Sequence, residues 1–330
     1  MRFVVGAYAT APSLGGDDIN LERQFYEQLI NSIPEIKGFE IPFWGEEIHR
    51  FGTEFLLEFL QPEWNHVLTC IPGSVKGVEK NPSFGLASND IKGRSDAVRM
   101  HIRANQMVRK INMHSGRPSI LAVHIATAPS VPVDGVTSSV DSLLLSMNEI
   151  LSWDWMGARI VIEHCDSYVG THPFEKGFMS IDEEISALKS FAGNFKVGLA
   201  INWARSAIEG RSSSTVVDHL KLARKNKLLS GFFFSGVSDK DGSYGLWKDS
   251  HMPFEKSFGV EHYQSGSLLT TGNIESTLKA LDLSELDYVG VKLLVMPIDG
   301  TPIKMRVGVN RDAIAVLNNI LSDTSKSLDA

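Results

Sequence analysis

Five polar side chains stand inside otherwise apolar runs of this chain, each of a type that can bind a metal ion, hold an oxygen or move a proton. They are Glu40 in "GFEIPFW", His124 in "SILAVHIATAP", Glu163 in "ARIVIEHCDSY", Asn202 in "KVGLAINW" and Lys292 in "DYVGVKLLVMP". A buried carboxylate or ammonium needs a partner. Lys292 therefore calls for a carboxylate such as Glu163 or Glu40, either as a structural pair or as part of a reacting site. His124 suits proton transfer or a satisfied core position, and Glu40 a site or a helix cap. Glu163 runs into His164, Cys165 and Asp166, with His164 and Asp166 read as supporting groups and Cys165 as a small buried filler. Arg205, just past Asn202, suits an anionic group on a ligand or a carboxylate on a neighbouring helix.

The elements that carry these residues repeat along the whole chain. Short apolar runs, each followed by a polar loop and an amphipathic stretch, begin at "RFVVGAYA" and continue through "GFEIPFW", "HVLTCIP", "SILAVHIATAP", "ARIVIEHC", "KVGLAINW", "SGFFFSGVS" and "DYVGVKLLVMP". Helices are expected at "INLERQFYEQLINSI" after Asp18, "EEIHRFGTEFLLEFL", "DAVRMHIRANQMVRKI" after Ser95 and "SVDSLLLSMNEILSW". More follow at "IDEEISALKSFA" after Ser180, "VVDHLKLARKNKL" after Thr215, "NIESTLKALDL" and "RDAIAVLNNILS". Ser180 with Glu183 has the spacing of a capping box. Eight strand–helix units predict an α/β fold, a (β/α)₈ TIM barrel in which residues 1–330 make a single domain. The strands read as continuously apolar, as strands covered on both faces do. An open dinucleotide-binding sheet is disfavoured, because "GAYATAPSLGG" lacks the GxGxxG spacing.

Successive side chains of a strand point to opposite sides, so parity sorts them. Glu40 shares parity with Gly38, His124 with Ala122, Asn202 with Gly198 and Lys292 with Gly290, while Val, Leu and Ile occupy the other face. The face with small residues then looks into the barrel, and Glu40, His124, Glu163, Asn202 and Lys292 converge at its mouth. Two long connections, about residues 73–94 after the third strand and about 236–272 after the seventh, are expected as substrate-side loops. The second carries Trp247 and His251, read as substrate-binding with Glu40, Asn202 and Arg205.

Composition limits the partners. Of 330 residues, 43% are hydrophobic and 22% charged, with a net charge of -7, which disfavours nucleic acid and anionic membrane. No apolar run reaches the ~18 residues of a membrane span. The opening "MRFVVGAYATAP" reads as a buried strand rather than a leader, and two distant cysteines suit a cytoplasmic setting. A homo-oligomer is admitted by the sequence.

Taken together, "IVIEH" in the fifth strand, "INWARSAIEG" at the sixth and the Gly-rich "SDKDGSYGLWKD" after the seventh resemble the xylose isomerase-like TIM barrels, which include sugar isomerases, epimerases and endonuclease-IV-like proteins. The resemblance implies one divalent metal (Mn, Mg or Zn) held by Glu, Asp, His and Glu at the ends of strands five to eight. Carried over by residue, Glu163 matches as a metal ligand, but Asn202, Ser235 and Lys292 stand at the other three positions. The site is therefore expected to hold one divalent metal or none, with Lys292 taking the electrostatic place of the ion. The function expected from the resemblance is a sugar isomerase or epimerase acting by proton transfer on a small polyhydroxylated carbonyl substrate. Lys292, Glu163 and His124 are then catalytic. The alternatives are a Schiff-base aldolase or lyase using Lys292, and a non-catalytic sugar-binding barrel.

Overall fold

Eight short strands rich in Val, Ile, Leu and Phe, each too apolar to face water, close on one another as a parallel barrel in the order β1 to β8, with β8 pairing β1. They are β1 (Phe3–Val5), β2 (Ile36–Pro42), β3 (His66–Thr69), β4 (Ile120–Ile125), β5 (Arg159–His164), β6 (Val197–Asn202), β7 (Leu229–Phe234) and β8 (Tyr288–Val291). This computed structural model describes residues 3–328, with side chains through residue 322. The helices are α1 (Ile19–Ser32), α2 (Thr53–Leu57), α3 (Ile71–Lys80), α4 (Ile91–Ser115), α5 (Val140–Leu151), α6 (Ile181–Lys189), α7 (Trp203–Gly210), α8 (Ser213–Lys225), α9 (Thr271–Ala280) and α10 (Ile303–Leu328). No helix among the described residues is long and apolar enough to cross a membrane.

Strand parity divides the core into two parts. The outward-facing Phe39, Ile41, Leu68, Val123, Ile160, Ile162, Leu199, Ile201, Phe232 and Phe234 join one large cluster with the helices. Each such side chain, fully buried, contributes roughly 1.5–3 kcal/mol. The inward-facing Val4, Val67, Ala122, Val161, Ala200, Phe233 and Tyr288 fill the lower barrel as a separate cluster. Its two large rings need space on neighbouring strands. A Cβ on Gly231 would lie 2.0 Å from the Tyr288 ring, and one on Gly290 2.3 Å from that of Phe233. The small residues on the inner face are therefore the room in which the barrel packs its own interior. They also leave the layer above free for longer polar side chains.

Local signals place several helix starts where the sequence does. Asp18 accepts from the backbone of Asn20 and Leu21 at the head of α1, and Ser180 with Glu183 forms a complete capping box on α6. Elsewhere the boundaries differ for identifiable reasons. α4 begins at Ile91 rather than after Ser95, because Asp90 accepts from Gly93 N at 2.6 Å and starts the helix a turn earlier. α8 begins at Ser213 under Ser212 rather than after Thr215. The helix expected across residues 46–60 is confined to α2. Gly52 there has φ +89°, and the Glu47 carboxylate turns forward to accept from Thr53 N at 2.8 Å. The connection read as a loop at 73–94 contains most of α3, started by Pro72 at its first turn. A further short helix, α7, occupies the "WARSAIEG" stretch.

Candidate active site

The polar layer at the top of the barrel forms because five strands end their inward-facing series with one long polar residue each. Glu40, His124, Glu163, Asn202 and Lys292 all point inward, each 1% exposed or less. Lys292 Nζ lies 3.2 Å from each carboxylate oxygen of Glu40. Gly6 makes room for this pair, since a Cβ there would fall 2.9 Å from Lys292 Cγ and 3.0 Å from Glu40 Oε2. His124 Nδ1 stands 3.1 Å from Glu163 Oε2 and 4.0 Å from Glu40 Oε1, and its Nε2 faces the Tyr288 hydroxyl at 2.6 Å. Asn202 divides its amide between two tasks. Its nitrogen donates to Glu163 Oε1 at 3.3 Å, and its oxygen accepts from Ala204 N at 3.1 Å, capping α7.

α7 in turn delivers Arg205. Its NH1 pairs with Glu163 Oε1 at 2.7 Å, and its Nε with Asp249 Oδ2 at 3.2 Å. Lys176, from the loop after β5, reaches the same Asp249 oxygen at 3.2 Å. That loop is held by Asp166, whose carboxylate accepts from the backbone of Glu175 and Lys176. The site thus pairs three carboxylates, Glu40, Glu163 and Asp249, with three cations, Lys292, Arg205 and Lys176.

Burial and these charges set the protonation states. Burial alone would raise the Glu163 carboxyl, but Arg205, Lys292 and His124 override it and hold it well below the ordinary range. The Glu40 carboxyl is raised by burial despite its lysine. Burial opposes the charge on Lys292, yet Glu40, Tyr8 and Glu163 keep its ammonium protonated far past neutrality. His251 is pushed down to about 3 by burial, which overcomes the attraction of Asp249 and is reinforced by Lys292, Arg205 and Lys176. It is a neutral imidazole at pH 7, its Nδ1 2.8 Å from Ser235 Oγ. Burial pushes the Cys165 thiol up to about 12, which removes it as a nucleophile.

Above this layer opens a cleft of about 440 Å³, lined by Lys292, Arg205, Asp249, His251, Lys176 and Tyr8, with Trp44 and residues of α3 on its far side. Glu40, His124, Glu163 and Asn202 lie behind that lining. Of the residues singled out in the sequence, Lys292, Arg205 and His251 face the cleft. Trp247 does not: it is packed against the hydrophobic core with the Arg211 guanidinium 5.3 Å from its ring, so it belongs to the loop's own scaffold. Asp249, Lys176, Tyr8 and Trp44 were not legible as site residues. The one hint was "DSH", which places Asp249 and His251 two apart in a loop; the backbone of His251 is also in the left-handed region, φ +51°, which is uncommon for a non-glycine residue.

The four positions that the resemblance assigns to a metal do not fit one. Glu163 is the only carboxylate there, Lys292 has no lone pair to give when protonated, and Ser235 is engaged with His251. Glu40, His124 and Glu163 do bring three metal-capable donor atoms within 4.8 Å of one another. Lys292 and Arg205, however, already sit on those two carboxylates.

Comparison with known proteins agrees with this barrel. The family model described as a domain of unknown function (DUF4862) matches residues 4–309. An uncharacterized protein, STM3670, of Salmonella typhimurium is 32% identical over 315 residues, covering 96% of each chain. Among solved structures, an IolI protein with a binding zinc atom superposes with a TM-score of 0.60 at 14% identity, over 97% of this chain and 99% of the other. D-psicose 3-epimerase in the presence of D-fructose gives 0.53 at 14% identity, over 98% of both chains. At such identities the likeness establishes the fold alone, a single-domain (β/α)₈ barrel.

Proposed function

The chain belongs to the DUF4862 family, and from that premise we propose that it is a sugar isomerase- or epimerase-like enzyme moving a proton on a small polyhydroxylated carbonyl substrate. The observation that carries this reading is the cleft wall itself. Two cations fixed by buried carboxylates, Lys292 and Arg205, stand beside a neutral imidazole, His251, around a space of about 440 Å³. That volume is within the ~300–1,000 Å³ of small-molecule sites.

In this reading Lys292 and Arg205 hold the carbonyl and neighbouring hydroxyl oxygens and stabilise the negative charge that develops when a carbon-bound proton leaves. His251 takes that proton and returns it to the neighbouring carbon on the same face, while the hydroxyl proton passes to the former carbonyl oxygen. Inversion at the same carbon would need a second proton donor on the opposite face. Glu163 is reassigned from proton carrier to the anchor of Arg205, because its charge is already shared among Arg205, His124 and Asn202. His124 is likewise occupied at both ring nitrogens. The chemistry is assigned to this chain's own cations, and the donors Glu40, His124 and Glu163 would accept a divalent ion only by giving up those partners. The Schiff-base alternative requires Lys292 as a free amine, which the adjacent Glu40 opposes.

The test is exchange. Aldoses and ketoses that raise the melting temperature are incubated with the protein in D₂O, with and without Mn, Mg or Zn, and deuterium at the carbon beside the carbonyl is followed by NMR. Exchange that vanishes in His251→Gln supports the reading. A bound sugar that neither exchanges nor converts would make the barrel a binding protein instead.

A further inference from the structure

A second cluster of titratable side chains lies on the outer side of the barrel wall, away from the cleft. His164, at the end of β5, points outward between α6, α7 and α8. Its Nε2 lies 3.2 Å from Glu209 Oε2 on α7, and His219 Nε2 on α8 lies 3.4 Å from Glu209 Oε1. The donor atoms of these three buried residues fall within 4.8 Å of one another. With metal bonds of ~2.0–2.1 Å, neighbouring ligand atoms of a tetrahedral zinc ion stand about 3.3 Å apart.

The remaining ring nitrogens are arranged as metal-bound histidines require. His164 Nδ1 is 2.8 Å from Glu184 Oε2, and Glu184 accepts from the Thr127 hydroxyl at 2.7 Å through its other oxygen. His219 Nδ1 is 3.0 Å from Ser206 Oγ. Such outer partners fix the tautomer that leaves Nε2 free to ligate. Among the described residues no lysine or arginine pairs with Glu184 or Glu209. Glu184 and Glu209 hold the His164 imidazole protonated when no ion is present, and a divalent cation would take the place of that proton. Here the outer cluster differs from the barrel mouth, whose carboxylates are paired with lysine and arginine. Glu209 and His219 have side chains 10% and 9% exposed, which leaves the cluster a rim open to water.

We propose that His164, His219 and Glu209 form a structural site for a zinc-type divalent cation, supported by Glu184 and Ser206, with the fourth position open to water at the rim. The ion would tie β5 to α7 one turn after Arg205. It would also brace the turn at Ser167, whose N–H donates to Glu209 Oε2 at 2.7 Å.

The full chain, stripped with EDTA, is titrated with zinc sulfate against a chromophoric chelator, and zinc-saturated crystals are measured at the zinc absorption edge. One zinc per chain is expected, with its anomalous peak between His164, His219 and Glu209. His219→Gln and Glu184→Gln should each weaken binding, the latter by about 10–100-fold. The proposal is overturned by no peak at this cluster, by a peak only at Glu40, His124 and Glu163, or by unchanged affinity in whichever variants fold. The crystals need no variant, so a folding failure does not remove the test.

Discussion

Replacing Lys292 by Met removes the ammonium that lies 3.2 Å from both oxygens of Glu40 and keeps the length of the side chain. Glu40 is then a carboxylate 1% exposed, with no other lysine or arginine in ion-pair distance among the described residues. Breaking one side of a buried ion pair typically costs about 3–5 kcal/mol. The penalty has a pH dependence whose sign follows from Glu40. Burial already raises its folded-state carboxyl above the unfolded value, and the lysine is the largest influence lowering it. Without that lysine the carboxyl rises further. Between the unfolded value and the raised folded value the native state binds the extra proton, so stability falls as pH rises through that window. Lys292→Met should therefore lose less stability at pH 5, where more of Glu40 is protonated, than at pH 8. The double variant Lys292→Met/Glu40→Gln removes both charges and should be more stable at pH 8 than Lys292→Met alone, with a coupling above ~1 kcal/mol. Urea unfolding followed by circular dichroism at the two pH values measures all four corners of the cycle. If the single variant is equally destabilised at both pH values and the second substitution restores nothing, Glu40 is not the group that pairs with Lys292.

Three further outcomes are expected. His251→Gln should lower kcat by about 10²–10⁴ with KM little changed, and the wild-type acid limb from this residue should fall near pH 3 rather than near 6.5, since protonation removes the base; a limb near 6.5 contradicts that assignment. Arg205→Lys should behave like a loss rather than a conservative change, reducing kcat/KM at least tenfold, because one ammonium cannot span Glu163 and Asp249 as the guanidinium does. His66, buried on β3 with its Nδ1 accepting from Phe39 N, is pushed down to about 3 by burial, so it takes up a proton on unfolding between pH 6.5 and about 3, and stability falls with acid across that window. His66→Asn, whose amide oxygen can take the Phe39 N–H, should flatten the slope of urea-unfolding free energy against pH by up to about 1.4 kcal/mol per pH unit, and an unchanged slope would remove His66 from the acid response.

Much of the barrel could be read directly because its information is local. All eight strands overlap the runs chosen for their apolarity, β2 starting two residues and β7 one residue before them, and parity put Glu40, His124, Glu163, Asn202 and Lys292 on the inner face. Alternation is a property of the extended backbone, independent of what the strand meets later. Caps made within a few residues, as at Asp18 and Ser180, were legible for the same reason, whereas α3 is masked by Pro72, Gly73 and Gly77 and α7 runs straight on from the strand-six run. What the inward residues do was decided by pairing across the fold. Lys292 meets Glu40 from 252 positions away, which no spacing encodes. Arg205 takes Glu163 out of the role of proton carrier only because α7 turns it back over the barrel mouth. Asp249 and His251 enter the cleft, and Trp247 leaves it, through the folding of a long loop whose residues have no period. His164 gives the same lesson in reverse. Its parity sent it outward, but only the packing of α6, α7 and α8 against β5 brought Glu184, Glu209 and His219 around it. Backbone geometry tells each residue which way to face, and tertiary packing determines which charges it finds there.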